Sequence, residues 1–223
     1  MFQRGTPRVT VPAAGARVSS PKQNNTVALD THALGTLNYI RASIEAAGTF
    51  AVPGIAGIAM GAVGVAATLL ASLPALAPYW LEIWLAAAAA ASAVGCLLVA
   101  RQATRQSPRG FALYRGPVRK FVLSLCPALL AGAVLTVVLW MEGHIALIAG
   151  MWLLLYGCAV LSASMMTSAV TMRLVAVMGG LFVVFGAVAF AVPMRWHNLI
   201  LGLGFGALHL LFGILIGRIN RVE

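Results

Sequence analysis

Apolar residues fall into long runs along the chain, separated by short polar or proline-containing breaks. The runs cover residues 52–73, 78–100, 121–141, 145–166, 174–192 and 199–217. Each run is close to the roughly 20 residues that a helix needs to cross a bilayer. The runs lack the in–out alternation of barrel strands, which favours helices. The pattern therefore predicts an all-α fold, a polytopic transmembrane helical bundle with six spans over residues 52–217.

Composition supports a membrane protein. Of the 223 residues, 61% are hydrophobic and 9% are charged, whereas about a quarter of the residues in soluble domains are charged. Most of the surface is therefore suited to lipid rather than water. The lipid bilayer is the first partner that the sequence implies.

The residues before the first run divide into two segments. Residues 1–29 are rich in Pro, Gly, Ser and Arg, which predicts a disordered basic cytoplasmic tail rather than an export signal. In residues 30–48, apolar residues recur at helical spacing, at Leu34, Leu37, Ile40 and Ile44. This segment is predicted to be a short amphipathic interfacial helix on the inner leaflet. A helix packed on the cytoplasmic loop is the alternative.

Basic residues lie in alternate segments between the runs. These segments hold 14 of the 15 Lys and Arg residues, and Arg195 is the exception. The positive-inside rule therefore predicts that both termini are cytoplasmic. The net charge of +10 is explained by this topology and by attraction to an anionic leaflet. It does not predict nucleic-acid binding, because no aromatic residues are interleaved with the basic ones.

Two residue types predict how the helices sit and pack. Tryptophans lie near the predicted outer ends of the spans, away from the basic segments; they are Trp80, Trp84, Trp140 and Trp196. Their position predicts anchoring at the membrane interface. Small residues four apart predict close helix contacts within the chain. They are Gly57 and Gly61, Gly202 and Gly206, Gly213 and Gly217, and Ala128 and Gly132. Formation of a homo-oligomer through the first or sixth span is the alternative use of these glycines.

His209 and Tyr156 are the strongest candidates for a ligand-binding site. At about 1.5 Å per residue, both lie about 15 Å along their spans, near the bilayer midplane. Ionisable residues at this depth usually face the bundle interior or a cavity. We expect a hydrogen bond between the hydroxyl and the imidazole. The pair is either a packing contact or a site for a ligand or proton.

A second candidate is a group of polar residues near the outer ends of the spans. It consists of Glu82, Glu142, His144, Arg195 and His197. Carboxylates and imidazoles could bind a divalent metal or an amphiphile headgroup, and the alternative is a solvated rim of unrelated charges. Elsewhere the sequence predicts no metal site, because the three cysteines are dispersed and unpaired. It contains no catalytic or cofactor-binding motif.

Several motifs follow one another over residues 39–218. They are Tyr39-Ile40-Arg41, Ala47–Gly54, Arg119-Lys120-Phe121, Trp152–Gly157 and Gly204–His209 with Phe212-Gly213. In these motifs the chain resembles a family of uncharacterised bacterial six-span integral membrane proteins. It departs from the family pattern at Pro127-Ala128 and over Met165–Met172. The resemblance implies a multi-pass protein of the bacterial inner membrane, and it implies no activity.

Several functions therefore stay open at the level of sequence. One is a small-solute or lipid permease, or a membrane-embedded ligand-binding protein. Another is a non-catalytic accessory or assembly subunit of a larger membrane complex. A membrane enzyme is the least favoured, because no group of polar residues in the sequence argues for catalysis.

Overall fold

The computed structural model describes residues 36, 37, 40, 52–106 and 117–219. The chain divides into two compact units, residues 1–44 and residues 45–223. In the first unit, Thr36, Leu37 and Ile40 are helical and exposed. The tail predicted over residues 1–29 lies outside the described residues, as does most of the interfacial helix predicted over residues 30–48.

In the second unit, six helical segments are long and apolar enough to cross a membrane, which confirms the predicted fold class. The first five contain α1 (Gly54–Ala71), α2 (Trp80–Gln106), α3 (Pro117–Met141), α4 (Ile145–Ser164) and α5 (Ala169–Ala191). The sixth span is α6 (His197–Leu201), a π-helical segment (Gly202–Leu208) and α7 (His209–Ile219). Short 3₁₀ turns precede α2 and α6, at Pro74–Tyr79 and Met194–Trp196.

Three helices extend beyond the apolar runs that predicted them. α5 begins at Ala169, before the predicted limit of 174. α2 continues to Gln106 and α3 begins at Pro117, so both reach past the predicted limits of 100 and 121. An apolar run marks the part of a helix at hydrocarbon depth, but Arg and Gln are good helix formers and continue it into the headgroup region. Proline is favoured at the first helical position, where its missing N–H costs nothing.

α1 packs against the sixth span through glycines on both helices, which we call the first glycine seam. A Cβ built on Gly57 would lie 2.9 Å from the Cα of Gly213. One built on Gly64 would lie 2.5 Å from the carbonyl oxygen of Phe205. The two backbones are therefore too close for any other residue. These contacts confirm the predicted role of the glycines in the first and sixth spans.

The second glycine seam joins α4 and α5, and the sequence analysis did not predict it. A Cβ on Gly157 would lie 2.8 Å from the carbonyl oxygen of Gly179. Two helical turns along, Gly150 and Gly186 form the corresponding contact. A Cβ on Gly186 would lie 3.0 Å from the carbonyl oxygen of Gly150. These glycines are seven residues apart on each helix, so the four-residue spacing did not reveal them.

α2 and α3 flank this core rather than belonging to it. α2 packs on α1 and α3 packs on α4, while α2 and α3 make little contact with each other. In the second and third spans, 11% of the most apolar stretch is buried, against 56% in the sixth. A gap between α2 and α3 follows from this arrangement.

The ends of the spans differ in composition. The basic residues at one end, the basic end, are exposed wherever the structure describes their side chains; they are Arg101, Arg119, Lys120, Arg173 and Arg218. At the opposite end, the tryptophan end, Trp140 and Trp196 are 58% and 47% exposed, as expected of interfacial anchors. Trp84 is only 3% exposed, so it is a packing residue and not an anchor.

Candidate functional site

A cavity of about 230 Å³ lies among α1, α2, α3, α4 and the sixth span. Its wall on the core side is formed by Gly64, Tyr156, Phe205 and His209, and its flanks are formed by α2 and α3. Most of the flanking residues are small. They are Ala87, Ala88, Ala91 and Ser92 on α2, and Ala128, Gly132 and Ala133 on α3.

The cavity opens between α2 and α3. Leu85 on α2 and Leu129 on α3 both line it, yet they are 45% and 46% exposed. α2 and α3 pack together at Val99 and Val118, away from the cavity, and make little other contact, so the cavity stays open beside Leu85 and Leu129. Because α2 and α3 are apolar enough to lie in the membrane, the opening faces lipid and not water.

Tyr156 and His209 meet at the core wall of the cavity. The hydroxyl oxygen of Tyr156 lies 2.7 Å from Nε2 of His209, which confirms the predicted hydrogen bond. Tyr156 lies on α4 and His209 is the first residue of α7, directly after the π-helical segment. Both are about 17 Å from the starts of their spans at 1.5 Å per residue. His209 is 4% exposed.

An aromatic cluster holds this pair in place. It consists of Tyr156, Phe182, Phe205 and His209, with ring centroids 4.8 Å apart for Tyr156 and Phe182 and 5.3 Å for Phe182 and Phe205. The Tyr156 ring meets Phe182 and Phe205 edge-on, the geometry that aromatic pairs prefer. Phe182 on α5 is fully buried, so the cluster ties the cavity wall to the core.

The π-helical segment lies immediately before His209 and supplies Phe205 to the cavity wall. Phe205 belongs to the aromatic cluster, and a Cβ on Gly204 would lie 2.6 Å from a methyl carbon of Leu153. The wide turn of a π-helix changes the direction of the side chains that follow it, and such turns are frequent at functional sites. Apart from the concentration of glycines, nothing in the sequence indicates a π-helical segment here.

Two further hydrogen bonds near the cavity involve tryptophans, and the sequence analysis missed both. The Nε1–H of Trp152 on α4 donates to the hydroxyl of Thr136 on α3 at 2.7 Å, and Thr136 donates to the carbonyl of Gly132 at 2.6 Å. The Nε1–H of Trp84 on α2 donates to the side-chain oxygen of Asn198 at 3.1 Å. Each bond fastens one flanking helix to the core.

Asn198 also joins α1 to the sixth span. Its amide nitrogen donates to the carbonyl of Thr68 at 3.0 Å and to the hydroxyl of Ser72 at 2.7 Å. A single side chain therefore links three spans at the tryptophan end. The signal for it was present in the sequence, since an amide at the start of an apolar run needs polar partners.

His197 is separated by burial from the other residues of the predicted outer polar group. Glu82, Glu142, His144 and Arg195 are exposed, whereas His197 is 3% exposed and its Nε2 lies 3.2 Å from the carbonyl oxygen of Val192. Among the described residues, which include all five, no group of three or more His, Cys, Asp or Glu side chains has the geometry to hold a metal ion.

The chain matches no protein-family model, no curated protein and no solved structure. The resemblance carried by the motifs in residues 39–218 stays a prediction.

Proposed function

We propose that the protein binds a small lipophilic molecule, or one part of a lipid, inside the membrane. The molecule enters from the bilayer between α2 and α3 and lies against Tyr156 and His209. One observation carries the proposal: an apolar cavity of about 230 Å³ opens toward lipid and ends at a polar pair. Binding sites are typically apolar cavities with a few polar groups that fix the ligand.

The size of the cavity fits a ligand of modest bulk. It is about one and a half times the volume of the 150 Å³ engineered cavity that binds benzene. A ring with a few carbon atoms fills it, whereas a whole phospholipid would have to leave most of its mass in the gap between α2 and α3. A binding role in the bilayer is also consistent with the sequence, which contains no catalytic motif.

The proposal is tested by photolabelling with a small apolar aryl diazirine in detergent micelles. In the wild-type protein we expect labelled peptides from α3, α4 and the sixth span. Ala91→Phe places a ring in the cavity, because Ala91 lines it, and should reduce this labelling at least fivefold. Ala90→Phe adds the same ring to an exposed position of α2 outside the lining and should leave it unchanged. Equal labelling of both variants would contradict the site.

His209→Gln separates a binding role from a packing role. Glutamine keeps a polar side chain that can bond Tyr156, so the fold should survive with a small loss of stability. If His209 contacts the ligand, labelling in the cavity should fall severalfold while the melting temperature changes little. If the residue only packs, labelling should stay at the wild-type level. Native mass spectrometry of the purified protein gives a second readout, because a bound small molecule adds to its mass.

An accessory or assembly role makes a different prediction about the same surface. A partner subunit would have to cover the gap between α2 and α3, and it would travel with the protein through purification in mild detergent. Stoichiometric protein partners, together with an unlabelled cavity, would favour that role over ligand binding.

We also propose that both termini face the cytoplasm and that the protein resides in the bacterial inner membrane. The basic end carries all of the described Lys and Arg residues except Arg195, which supports the orientation. Single cysteines at Ser107 and Gly143, in a cysteine-free background, test it. An impermeant thiol reagent should label the Gly143→Cys protein in intact cells and not the Ser107→Cys protein. The reverse result would invert the orientation.

A further inference from the structure

The cavity lies closer to one end of the bundle than to the other. On α2 its lining runs from Trp84 to Ser92, and on α4 it runs from Trp152 to Tyr156. At 1.5 Å per residue, these residues lie about 6–18 Å from the first residues of the two helices, which are at the tryptophan end. One leaflet contributes half of a hydrocarbon core that is roughly 30 Å thick. The cavity therefore extends from near the interface at the tryptophan end to near the bilayer midplane.

Toward the basic end, the gap between α2 and α3 is closed. Val99 on α2 and Val118 on α3 are buried and pack together, and Phe121 packs against them. Ser92 is the last lining residue of α2, and Val99 lies about 10 Å further from the tryptophan end. The opening therefore ends before it reaches the basic end. Lipid of the leaflet at the tryptophan end can reach the opening, whereas lipid of the opposite leaflet meets two helices in contact.

At the tryptophan end, Trp152 lies between the cavity and the aqueous phase. Its indole ring stacks on that of Trp80 at the start of α2, with centroids 6.2 Å apart and planes 8° apart. Its Nε1–H donates to the hydroxyl of Thr136 on α3 at 2.7 Å. One side chain of α4 thus contacts both flanking helices. Because Trp152 and Thr136 line the cavity and Trp80 does not, the stacked pair separates the cavity from the membrane surface here.

These two closures leave the hydrocarbon of one leaflet as the source of an occupant. Leu85 and Leu129 border the opening, about 8 Å and 18 Å from the tryptophan ends of α2 and α3. At this depth a lipid presents its hydrocarbon chain and not its headgroup, because a polar group without a hydrogen-bond partner is costly in hydrocarbon. A lipid of this leaflet can therefore insert part of a chain while its headgroup stays at the interface.

The side chains of the cavity suit a hydrocarbon chain. The flanks are lined by Ala88 and Ala91 on α2 and Ala133 on α3, whose small side chains leave width for methylene groups between the helices. At the core wall, the Tyr156 hydroxyl and the His209 imidazole are hydrogen-bonded to each other. Whichever of the two groups donates, this bond is kept when an apolar chain lies against it. A chain therefore needs no polar group of its own to occupy the cavity.

We infer that the cavity is a one-leaflet site, which takes part of the hydrocarbon chain of an amphiphile in the leaflet at the tryptophan end. The inference rests on the proposed function and names the occupant of the same site and its source. The volume of about 230 Å³ holds part of a chain, and the rest passes through the gap to the headgroup at the interface. The contact of Val99 with Val118 separates this chain from the opposite leaflet.

A phospholipid confined to one leaflet tests the inference. The probe is phosphatidylcholine with an aryl diazirine midway along one chain, exchanged by cyclodextrin into the outer leaflet of proteoliposomes that already contain the protein. It stays in that leaflet because moving its headgroup through hydrocarbon is costly. The protein carries Glu142→Cys in a cysteine-free background, at an exposed position of the tryptophan end. An impermeant biotin maleimide tags the molecules whose tryptophan end faces outward, and streptavidin separates the two orientations after irradiation.

Cavity labelling is the part of the labelling that Ala91→Phe removes and Ala90→Phe leaves unchanged. It should be about fivefold or more stronger in the outward molecules than in the inward ones, because only the outward molecules open to the leaflet that holds the probe. With the probe in the inner leaflet alone, the preference should reverse. If Ala91→Phe does not fold, labelling of Tyr156, on the core wall of the cavity, is compared between the two orientations instead.

The possible outcomes separate this inference from the proposed function. Equal cavity labelling of the two orientations, or stronger labelling of the inward molecules by the outer leaflet, overturns the one-leaflet site. Cavity labelling by the small aryl diazirine but not by the phospholipid overturns the chain as the occupant. Both results leave the proposed binding of a lipophile intact. If neither probe labels the cavity of the wild-type protein, the proposed function fails, and the one-leaflet site fails with it.

Discussion

The glycine seams and the flanking helices are held in place by different contacts. In the seams, backbone meets backbone: a Cβ on Gly213 would lie 2.6 Å from the amide nitrogen of Ile58. On the flanks, glycines meet side chains. A Cβ on Gly132 of α3 would lie 3.6 Å from a methyl carbon of Leu155, which is ordinary van der Waals contact.

The difference shows how a membrane protein can combine a tight core with an open cavity. Lipid is as apolar as the helices, so association depends on close packing and on hydrogen bonds between helices. The seams supply close packing for α1, α4, α5 and the sixth span. α2 and α3 depend more on the tryptophan bonds to Asn198 and Thr136, so they need not pack against each other. The gap between them is the result.

The largest expected effect is in the first glycine seam. Gly213→Leu forces a side chain against the backbone of α1 and should lower the free energy of unfolding by about 3 kcal/mol or more, or prevent folding, because overpacking typically costs about 1–3 kcal/mol. Gly180→Leu is the matched control, since a Cβ there meets nothing within 4 Å. The melting temperature in detergent measures both. Equal melting temperatures for Gly213→Leu and Gly180→Leu would show that the first glycine seam does not stabilise the bundle.

An intermediate effect is expected for the hydrogen bond between Trp84 and Asn198, which joins α2 to the sixth span. Asn198→Ala leaves the Trp84 N–H without its partner and should cost about 1–2 kcal/mol. Trp84→Phe removes the N–H together with part of a buried ring, so its cost includes lost packing, whereas Asn198 keeps its bonds to Thr68 and Ser72.

The double variant isolates the bond between the two side chains. Its loss of stability should be smaller than the two single losses combined, as expected for coupled residues. Trp140→Phe, at a position 58% exposed, should change stability by less than about 0.5 kcal/mol. Additive losses in the double variant would show that Trp84 and Asn198 act independently and that α2 is held by other contacts.

The smallest effect is expected for a flank glycine. Gly132→Ala adds a methyl group at ordinary contact distance, and alanine is a better helix former by up to about 1 kcal/mol, so stability should stay equal or rise slightly. Gly157→Ala, in the second seam, should lose stability, because the added Cβ would lie 2.8 Å from a backbone oxygen. Equal melting temperatures for the two variants would remove the distinction between seam and flank.

The sequence predicted where the helices lie in the chain better than it predicted which helices pack against each other. Continuous apolar runs indicate which residues lie in the membrane, so the six spans were predicted to within a few residues except where α2, α3 and α5 extend past the runs. The Tyr156–His209 bond was predicted because two polar residues at equal depth need partners. The contact of Gly57 with Gly213 followed from glycines four residues apart, whereas Gly64 lies outside the predicted pairs.

The cavity could not be predicted, because it depends on which helices are not neighbours. A soluble helix shows its buried face by its apolar side, but a membrane helix is apolar all round, so α2 and α3 give no sign of the gap. Trp84 illustrates the same problem. A tryptophan near the end of a span favours the interface, and only the position of Asn198 on another span turns it into a buried donor.

Under the proposed binding function, the gap between α2 and α3 makes the bilayer the reservoir from which the site is filled. A lipophilic ligand concentrates in lipid, so its abundance relative to lipid sets the occupancy of the cavity, and its aqueous concentration matters little. A dissociation constant near 1 mM corresponds to a weak binding free energy of about 4 kcal/mol. Even this affinity would keep the cavity substantially filled once the ligand is a minor component of the membrane. The occupancy of the cavity would then change directly with the composition of the membrane.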